Sequence, residues 1–475
     1  MRVLILTAKT GGGHIRTAQA LEEVIKQRDE NSVVMTVDGL EYANHYVNKM
    51  VVDGYKFSAM KIPKVYGIIY RASNTDTSIN KFMQKANYHL SKKIVPLLAD
   101  FRPDVIVSTH PFMSIIASRL REKGITNVPL ISIVTDFCSH ASYINPCVNQ
   151  YIVSSVQMVD ELESLGVDRN IIHPVGIPIM PVFFEKDEKR DEHVSQLGFD
   201  PELKTVLIMA GSFGVTDILK IYQNINEIEL DFQIIVITGK NEKLFDAFNS
   251  ILSCNENYRV GEAQPNFDYE KEPSRKEIKF NVTKKTKLIY FTDEVEKYMH
   301  ISDLIITKPG GLTVTESLAS CLPMALFKGI PGQETDNTEY LCNNNLAISI
   351  KKSNAAEVVY QLLKYPDRLL SMKESCERLN NKDSAYRVCE IIENSVNSMT
   401  EPIILPSEDD VSDDAMAGEE REFYTEFSEV VDELSEYEDH FDDLEESEWY
   451  SYFEEKIHSF KDKMKRKFKQ LTNQD

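Results

Sequence analysis

Short runs rich in β-branched residues alternate with stretches of helical period along most of this 475-residue chain, and no other feature restricts its fold as much. The runs Val3–Thr7, Val33–Asp38, Asp104–Thr109, Leu130–Thr135 and Tyr151–Ser154 are bounded by turn residues, and a helical pattern near His14–Arg28 follows the first of them. After Gly176-Ile177-Pro178 and Pro181 a second series begins at Thr205–Ala210. It continues through Phe232–Thr238, Leu288–Phe291, Leu304–Thr307 and Met324–Phe327. The pattern predicts an α/β protein of two doubly wound, Rossmann-like domains, residues 1–177 and 178–400, hinged near Gly176–Pro181.

Residues 254–287 are polar and charged with little apolar period, which reads as a surface insertion between two strands of the second domain. Charge separates the rest. The formal net charge is −22, yet residues 401–450 hold 21 Asp and Glu against the single Arg421, so the body is nearly neutral and offers no footprint for nucleic acid. The 401–450 segment reads as an acidic, disordered tether. In the terminal 451–475 stretch, Ile457, Phe460, Met464, Phe468 and Leu471 fall on one helical face, and Lys461, Lys463, Lys465, Arg466, Lys467 and Lys469 surround it. That is a basic amphipathic helix over 456–471, suited to an anionic membrane surface. A second stretch, Tyr42–Leu98, interleaves aromatic and aliphatic residues with Lys49, Lys56, Lys61, Lys64 and Arg71; it reads either as a lipid-facing surface or as core helices. The N-terminus lacks the apolar core of a signal peptide, and no run is long enough to span a bilayer. The seven cysteines form no C-x-x-C pair, so reduced thiols in a cytoplasmic protein are expected.

Two segments carry chemistry. The first strand runs into Thr10-Gly11-Gly12-Gly13-His14 and a helix, where backbone can approach a ligand and a helix N-terminus offers unpaired N–H groups. A tight turn with a solvent-facing histidine is the plainer reading of it. It matches neither a Walker loop nor G-x-G-x-x-G. In the second half, Lys308-Pro309-Gly310-Gly311-Leu312-Thr313 turns from a strand into a helix that carries Glu316, and Gln333, Glu334 and Asn337 follow Pro331-Gly332. Amides at that helix N-terminus suit a diphosphate, Glu316 suits two ribose hydroxyls, and the amide and carboxylate cluster suits a sugar.

Together with Val134-Thr135-Asp136-Phe137 and Met209-Ala210-Gly211-Ser212-Phe213-Gly214, these motifs resemble the glycosyltransferase family 28 enzymes that make glycosyldiacylglycerols: the monogalactosyldiacylglycerol synthases and the processive diacylglycerol glucosyltransferases. The resemblance covers roughly residues 1–395, in order. It implies a GT-B fold with the nucleotide sugar on the second domain and the lipid acceptor on the first. Glu316 would bind the uridine ribose. Gly310, Gly311, Leu312 and Thr313, with Lys308 beside them and the Gly211-Ser212 turn, would hold the diphosphate. Gln333, Glu334 and Asn337 would hold the hexose, and Phe291-Thr292 would line the uracil. Gly12, Gly13 and His14 would face the acceptor. Relatives often carry Arg after the Gly-Ile-Pro-Ile hinge, where this chain has Met180.

An inverting transfer needs a base near the acceptor hydroxyl and positive electrostatics near the departing diphosphate. His14 and Asp136 are the candidates, one as base and the other orienting it or the acceptor, with His14 preferred. No Asp-x-Asp pair occurs, so backbone donors rather than a metal are expected to stabilise the leaving group, with no cofactor. The expected enzyme is a hexosyltransferase moving glucose or galactose from a UDP-sugar to diacylglycerol or a glycosylated form of it, peripheral on the inner face of the cell membrane. Two alternatives stand: an N-acetylglucosaminyltransferase with a polyprenyl-linked acceptor, and a catalytically weak sensor or scaffold.

Overall fold

The computed structural model describes residues 1–9, 12–43, 70, 91–209, 216–253, 258–260, 282–379, 381–398 and 403–404. Gly11, Gly211, Ser212, most of the Tyr42–Leu98 surface and all of the 451–475 helix lie outside the described residues, as does the acidic segment apart from 403–404.

Two all-parallel sheets form. The first holds β1 (Arg2–Thr7), β2 (Val33–Asp38), β3 (Val105–Ser108), β4 (Leu130–Ile133), β5 (Gln150–Ile152) and β6 (Ile172–His173) in the order β2-β1-β3-β4-β5-β6. The second holds β7 (Thr205–Met209), β8 (Gln233–Ile237), β9 (Tyr258–Val260), β10 (Lys285–Ile289), β11 (Leu304–Thr307), β12 (Met324–Leu326) and β13 (Ala347–Ser349) in the order β13-β12-β11-β7-β8-β10-β9. Strand β9 lies inside the stretch read as insertion. A three-residue edge strand in polar text has too little apolar period to announce itself.

Strand alternation explains the layering. Leu4 and Leu6 of β1 enter one core with Met113, Ile116 and Leu120 of helix α2 (Pro111–Glu122), whereas Val3 and Ile5 enter another with Leu21, Val24 and Ile25 of helix α1 (Gly12–Arg28). All four are fully buried, so β1 is apolar on both faces, as a parallel strand between helical layers must be. The second sheet divides likewise, with Val206 and Ile208 facing one core and Leu207 the other.

Three more helices position the site: α3 (Gly311–Ala319), α4 (Gln333–Asn343) and α5 (Pro366–Leu379). The last, α6 (Ser384–Asn397), departs from the expected boundary, because it returns to the first domain. Its Val388, Cys389 and Ile392 complete the Val3 and Ile5 core, and Glu393 takes both Nε and Nη2 of Arg28 on α1, at 2.9 and 2.8 Å. Beyond it, Ile403 and Ile404 dock beside Asn127 and Thr126, just before β4. Those two residues belong to the segment read as tether, and their attachment lies at the edge where the parallel strands begin.

Candidate active site

In both sheets the chain order reverses beside the first strand of the domain, between β1 and β3 and between β7 and β11. The loops leaving the C-terminal ends of these strands part to opposite sides there and leave a crevice, the usual ligand position in open α/β sheets. The two crevices face each other.

On the first domain, β1 leads to His14, β3 to Thr109 and His110, and β4 to Thr135 and Asp136. His14 Nδ1 lies 2.6 Å from the Thr109 carbonyl oxygen and 3.2 Å from Thr135 Oγ1. A carbonyl only accepts, so Nδ1 carries the hydrogen and Nε2 presents a lone pair. Burial pushes the His14 imidazole down to about 4, against the opposing effect of the Thr109 bond, and keeps it neutral. His110 stands edge-on to His14, ring centroids 4.6 Å apart at 71°, and its Nδ1 accepts the Phe112 N–H to cap α2. Burial, and secondarily His14, holds His110 well below the ordinary histidine range. Burial raises the Asp136 carboxyl to about 6; hydrogen bonding from Asn337 opposes this, and nearby Glu334 and Asp336 reinforce it.

On the second domain, Gly310 caps α3 without a side-chain hydrogen bond, so the first amides of the helix receive no cap from it. Glu316, 2% exposed, receives Arg16 Nη1 on Oε1 at 3.2 Å. Its Oε2 is buried with no hydrogen-bond partner among the described residues, and burial raises the carboxyl to about 7 despite Arg16. Glu334 has work of its own: Oε1 takes Lys308 Nζ at 2.6 Å and Oε2 takes the Ile330 N–H at 2.8 Å, shaping the Gly329–Pro331 turn. Gln333 opens α4 behind Gly332, whose φ of +97° only glycine adopts readily.

The domains meet directly across this cleft. Phe137 is buried in the core of the second domain beside Tyr340, ring centroids 5.4 Å apart. A Cβ added to Gly311 would lie 1.9 Å from the Thr135 carbonyl oxygen, and one added to Gly13 would touch Leu312 Cβ at 3.4 Å. Thr313 follows on the same turn of α3, whereas a Cβ on Gly12 would meet nothing within 4 Å. Asn337, wholly buried, is bonded to Asp136, Phe137 and Pro309 and has no group left for a sugar; its side chain joins the domains. Phe291 and Thr292 stand apart, at the end of β10 beyond β7 and β8, with Lys240 over the Phe291 ring at 4.6 Å.

Sequence reasoning missed Arg16 and His110. His110 follows a strand end and precedes Pro111, so the rule that selected Asp136 also selects it. Arg16 had no signal, because its partner lies 300 residues away.

With this geometry in place, the comparisons with known proteins divide as the chain does. Residues 14–179 match the family described as monogalactosyldiacylglycerol (MGDG) synthase, and residues 205–393 match the glycosyltransferase family 28 C-terminal domain. The processive diacylglycerol beta-glucosyltransferase of Bacillus pumilus is 27% identical over 399 residues, 83% of this chain and 95% of that protein. The Bacillus subtilis protein of the same name is 26% identical over 407 residues, 84% and 96% of the two chains. In fold the chain is similar to the S. aureus MnaA-UDP co-structure, with a TM-score of 0.54 at 12% identity over 84% of this chain and 98% of that one.

Proposed function

The chain belongs to glycosyltransferase family 28, and from that premise we propose that it moves a hexose from a UDP-sugar to diacylglycerol or a glycosyldiacylglycerol at the cytosolic membrane face. Glucose is the favoured hexose, on the names of the relatives. The observation that carries the reading is the buried, unpartnered Oε2 of Glu316, one and a half turns inside a helix whose uncapped N-terminus faces the histidine side of the cleft. A buried carboxylate oxygen without a donor is costly, and a ribose hydroxyl supplies one.

In this reading the donor lies along α3. Its ribose meets Glu316 after displacing Arg16 from it, and its diphosphate meets the amides of Gly311, Leu312 and Thr313, with the Lys308 ammonium nearby. Gln333 faces the hexose, while Glu334 supports it indirectly by holding Lys308 and the Gly329–Pro331 turn. Phe291 and Thr292 border the base. The acceptor enters over Gly12 and Gly13, and its hydroxyl donates to Nε2 of His14. As the hydroxyl oxygen bonds to the anomeric carbon, the bond from that carbon to the diphosphate oxygen breaks, the proton passes to Nε2, and UDP leaves with the electron pair. The Asp136 carboxylate supports the imidazolium so formed. The leaving-group charge is met by amides and Lys308, without a metal or cofactor. The basic 456–471 segment anchors the protein to anionic lipid.

The test is to incubate the purified full chain with diacylglycerol vesicles and a panel of UDP-sugars and identify the lipid products by mass. A hexosyl-diacylglycerol is expected, and its absence with every donor overturns the reading.

A further inference from the structure

Asn337 lies on the donor-side domain, yet most of what it touches belongs to the other one. Its Oδ1 accepts the Phe137 N–H at 2.8 Å, with Cys138 Sγ at 3.6 Å, and its Nδ2 donates to Asp136 Oδ1 at 3.2 Å and to the Pro309 carbonyl at 3.1 Å. The orientation of the amide follows from chemistry: a backbone N–H can only donate and a carbonyl can only accept, so oxygen must face Phe137 and nitrogen must face Pro309. An amide has two donor hydrogens and two acceptor lone pairs, and here each has a partner. Tyr340, one turn along α4, packs on the Phe137 ring, so the same helix face holds both the backbone and the side chain of this first-domain segment.

We propose that Asn337 is a positioning residue that joins the domains in the closed molecule and, by donating to Asp136, orients that carboxylate only when the cleft shuts. The same hydrogen bond opposes the protonation that burial in the closed cleft favours. This inference rests on the proposed transfer reaction, in which Asp136 supports the protonated His14. Asp136 faces Glu334, Asp336 and Lys308 from the second domain and Tyr70, Cys138 and Tyr143 from its own. Glu334 and Asp336 favour its protonated form, and the Asn337 N–H and Lys308 favour its charged form. When the domains part, the Asn337 contact goes with them. An acceptor bound to the open molecule therefore meets an incomplete site, which protects the sugar donor from attack by water before closure.

Asn337→Asp keeps the shape of the side chain and the acceptor for Phe137, but puts a carboxylate where the donor to Asp136 was. Asn337→Ala removes both. Each is compared with wild type in the pH profile of kcat and the donor KM, using UDP-glucose and diacylglycerol vesicles, and in hydrogen exchange of the Phe137 amide. The acidic limb of Asn337→Asp should move up by about one pH unit or more, with donor KM within about twofold. In Asn337→Ala the Phe137 amide should exchange at least about tenfold faster. A raised donor KM with an unmoved limb means that Asn337 grips the sugar and overturns the proposal; so does an unmoved limb alone, or unchanged Phe137 protection in Asn337→Ala. If wild type transfers no hexose to any lipid, the proposed reaction falls and hydrogen exchange alone decides whether Asn337 joins the domains.

Discussion

Gly311→Ala tests whether the closed arrangement is the reactive one. The added Cβ would sit 1.9 Å from the Thr135 carbonyl oxygen, whereas real Cβ contacts essentially never fall below 3.0 Å, so the two domains must stay about 1 Å further apart. The obstacle is backbone on both sides and cannot rotate away. A 1 Å error between reacting groups is worth on the order of 10²-fold in rate, so kcat should fall by about two orders of magnitude. The helix itself should not suffer, since alanine is favoured over glycine in helices by up to ~1 kcal/mol. Hexosyl transfer at saturating UDP-glucose, calorimetric binding of UDP and thermal melting separate these effects. The expected variant melts no lower than wild type, binds UDP within about tenfold of it, and turns over about a hundredfold more slowly. Turnover within about threefold of wild type refutes the reasoning, as does a collapse of UDP binding that accounts for the whole loss.

Four further outcomes follow from the site and the tail. His14→Ala should lose about 10²–10⁴-fold in kcat with UDP binding retained. The wild-type rate should rise through pH about 6 as Asp136 ionises, with no separate His14 limb above it because that imidazole is neutral above about 4; a profile flat from pH 5 to 8 contradicts both assignments. Burial raises Glu316 to about 7, so its contribution to folding is present in full below its unfolded value and is lost as pH rises through 7. Glu316→Gln should gain on wild type in denaturant melts between pH 5 and pH 8, by up to about 3 kcal/mol, and parallel melts would exclude this. Removing 451–475 should abolish salt-dependent binding to acidic vesicles while leaving transfer to detergent-dispersed diacylglycerol intact, and unchanged vesicle binding rejects the anchor.

The sequence made the two-sheet fold legible because β1, β3, β4, β7, β8 and β11 are apolar runs rich in β-branched residues and buried along most of their length. Strands β6, β9 and β13 escaped notice, since two or three residues at or near a sheet edge need no such run. Helix α6 was readable as an amphipathic helix, but its apolar face does not say which sheet it covers, and it covers the distant one. At the site, His14, Asp136 and Gly310-Gly311 were visible from sequence because each follows a strand. Asn337 was singled out as one of a cluster of amides and carboxylates that suits a sugar, and only the structure shows that its hydrogen bonds run to Asp136 and Phe137, about 200 residues away, and to Pro309. Glu334 is a milder case, spent on Lys308 and a turn rather than offered to the cleft.

The return of α6 means that the polypeptide passes between the domains twice, once near Gly176 and once near Asn381. The two passages run side by side. Gly176, at φ +90°, has Asn381 so close that an added Cβ would meet it at 2.8 Å, and Ser384 Oγ donates to the Ile177 carbonyl at 3.2 Å. Two bodies joined by one strand can twist and swing about any axis, but a double strap leaves one easy rotation, about the line along which the passages lie. The cleft can therefore open and shut, yet its two halves return each time in the same register. A single proteolytic cut in either passage leaves the halves still connected through the other.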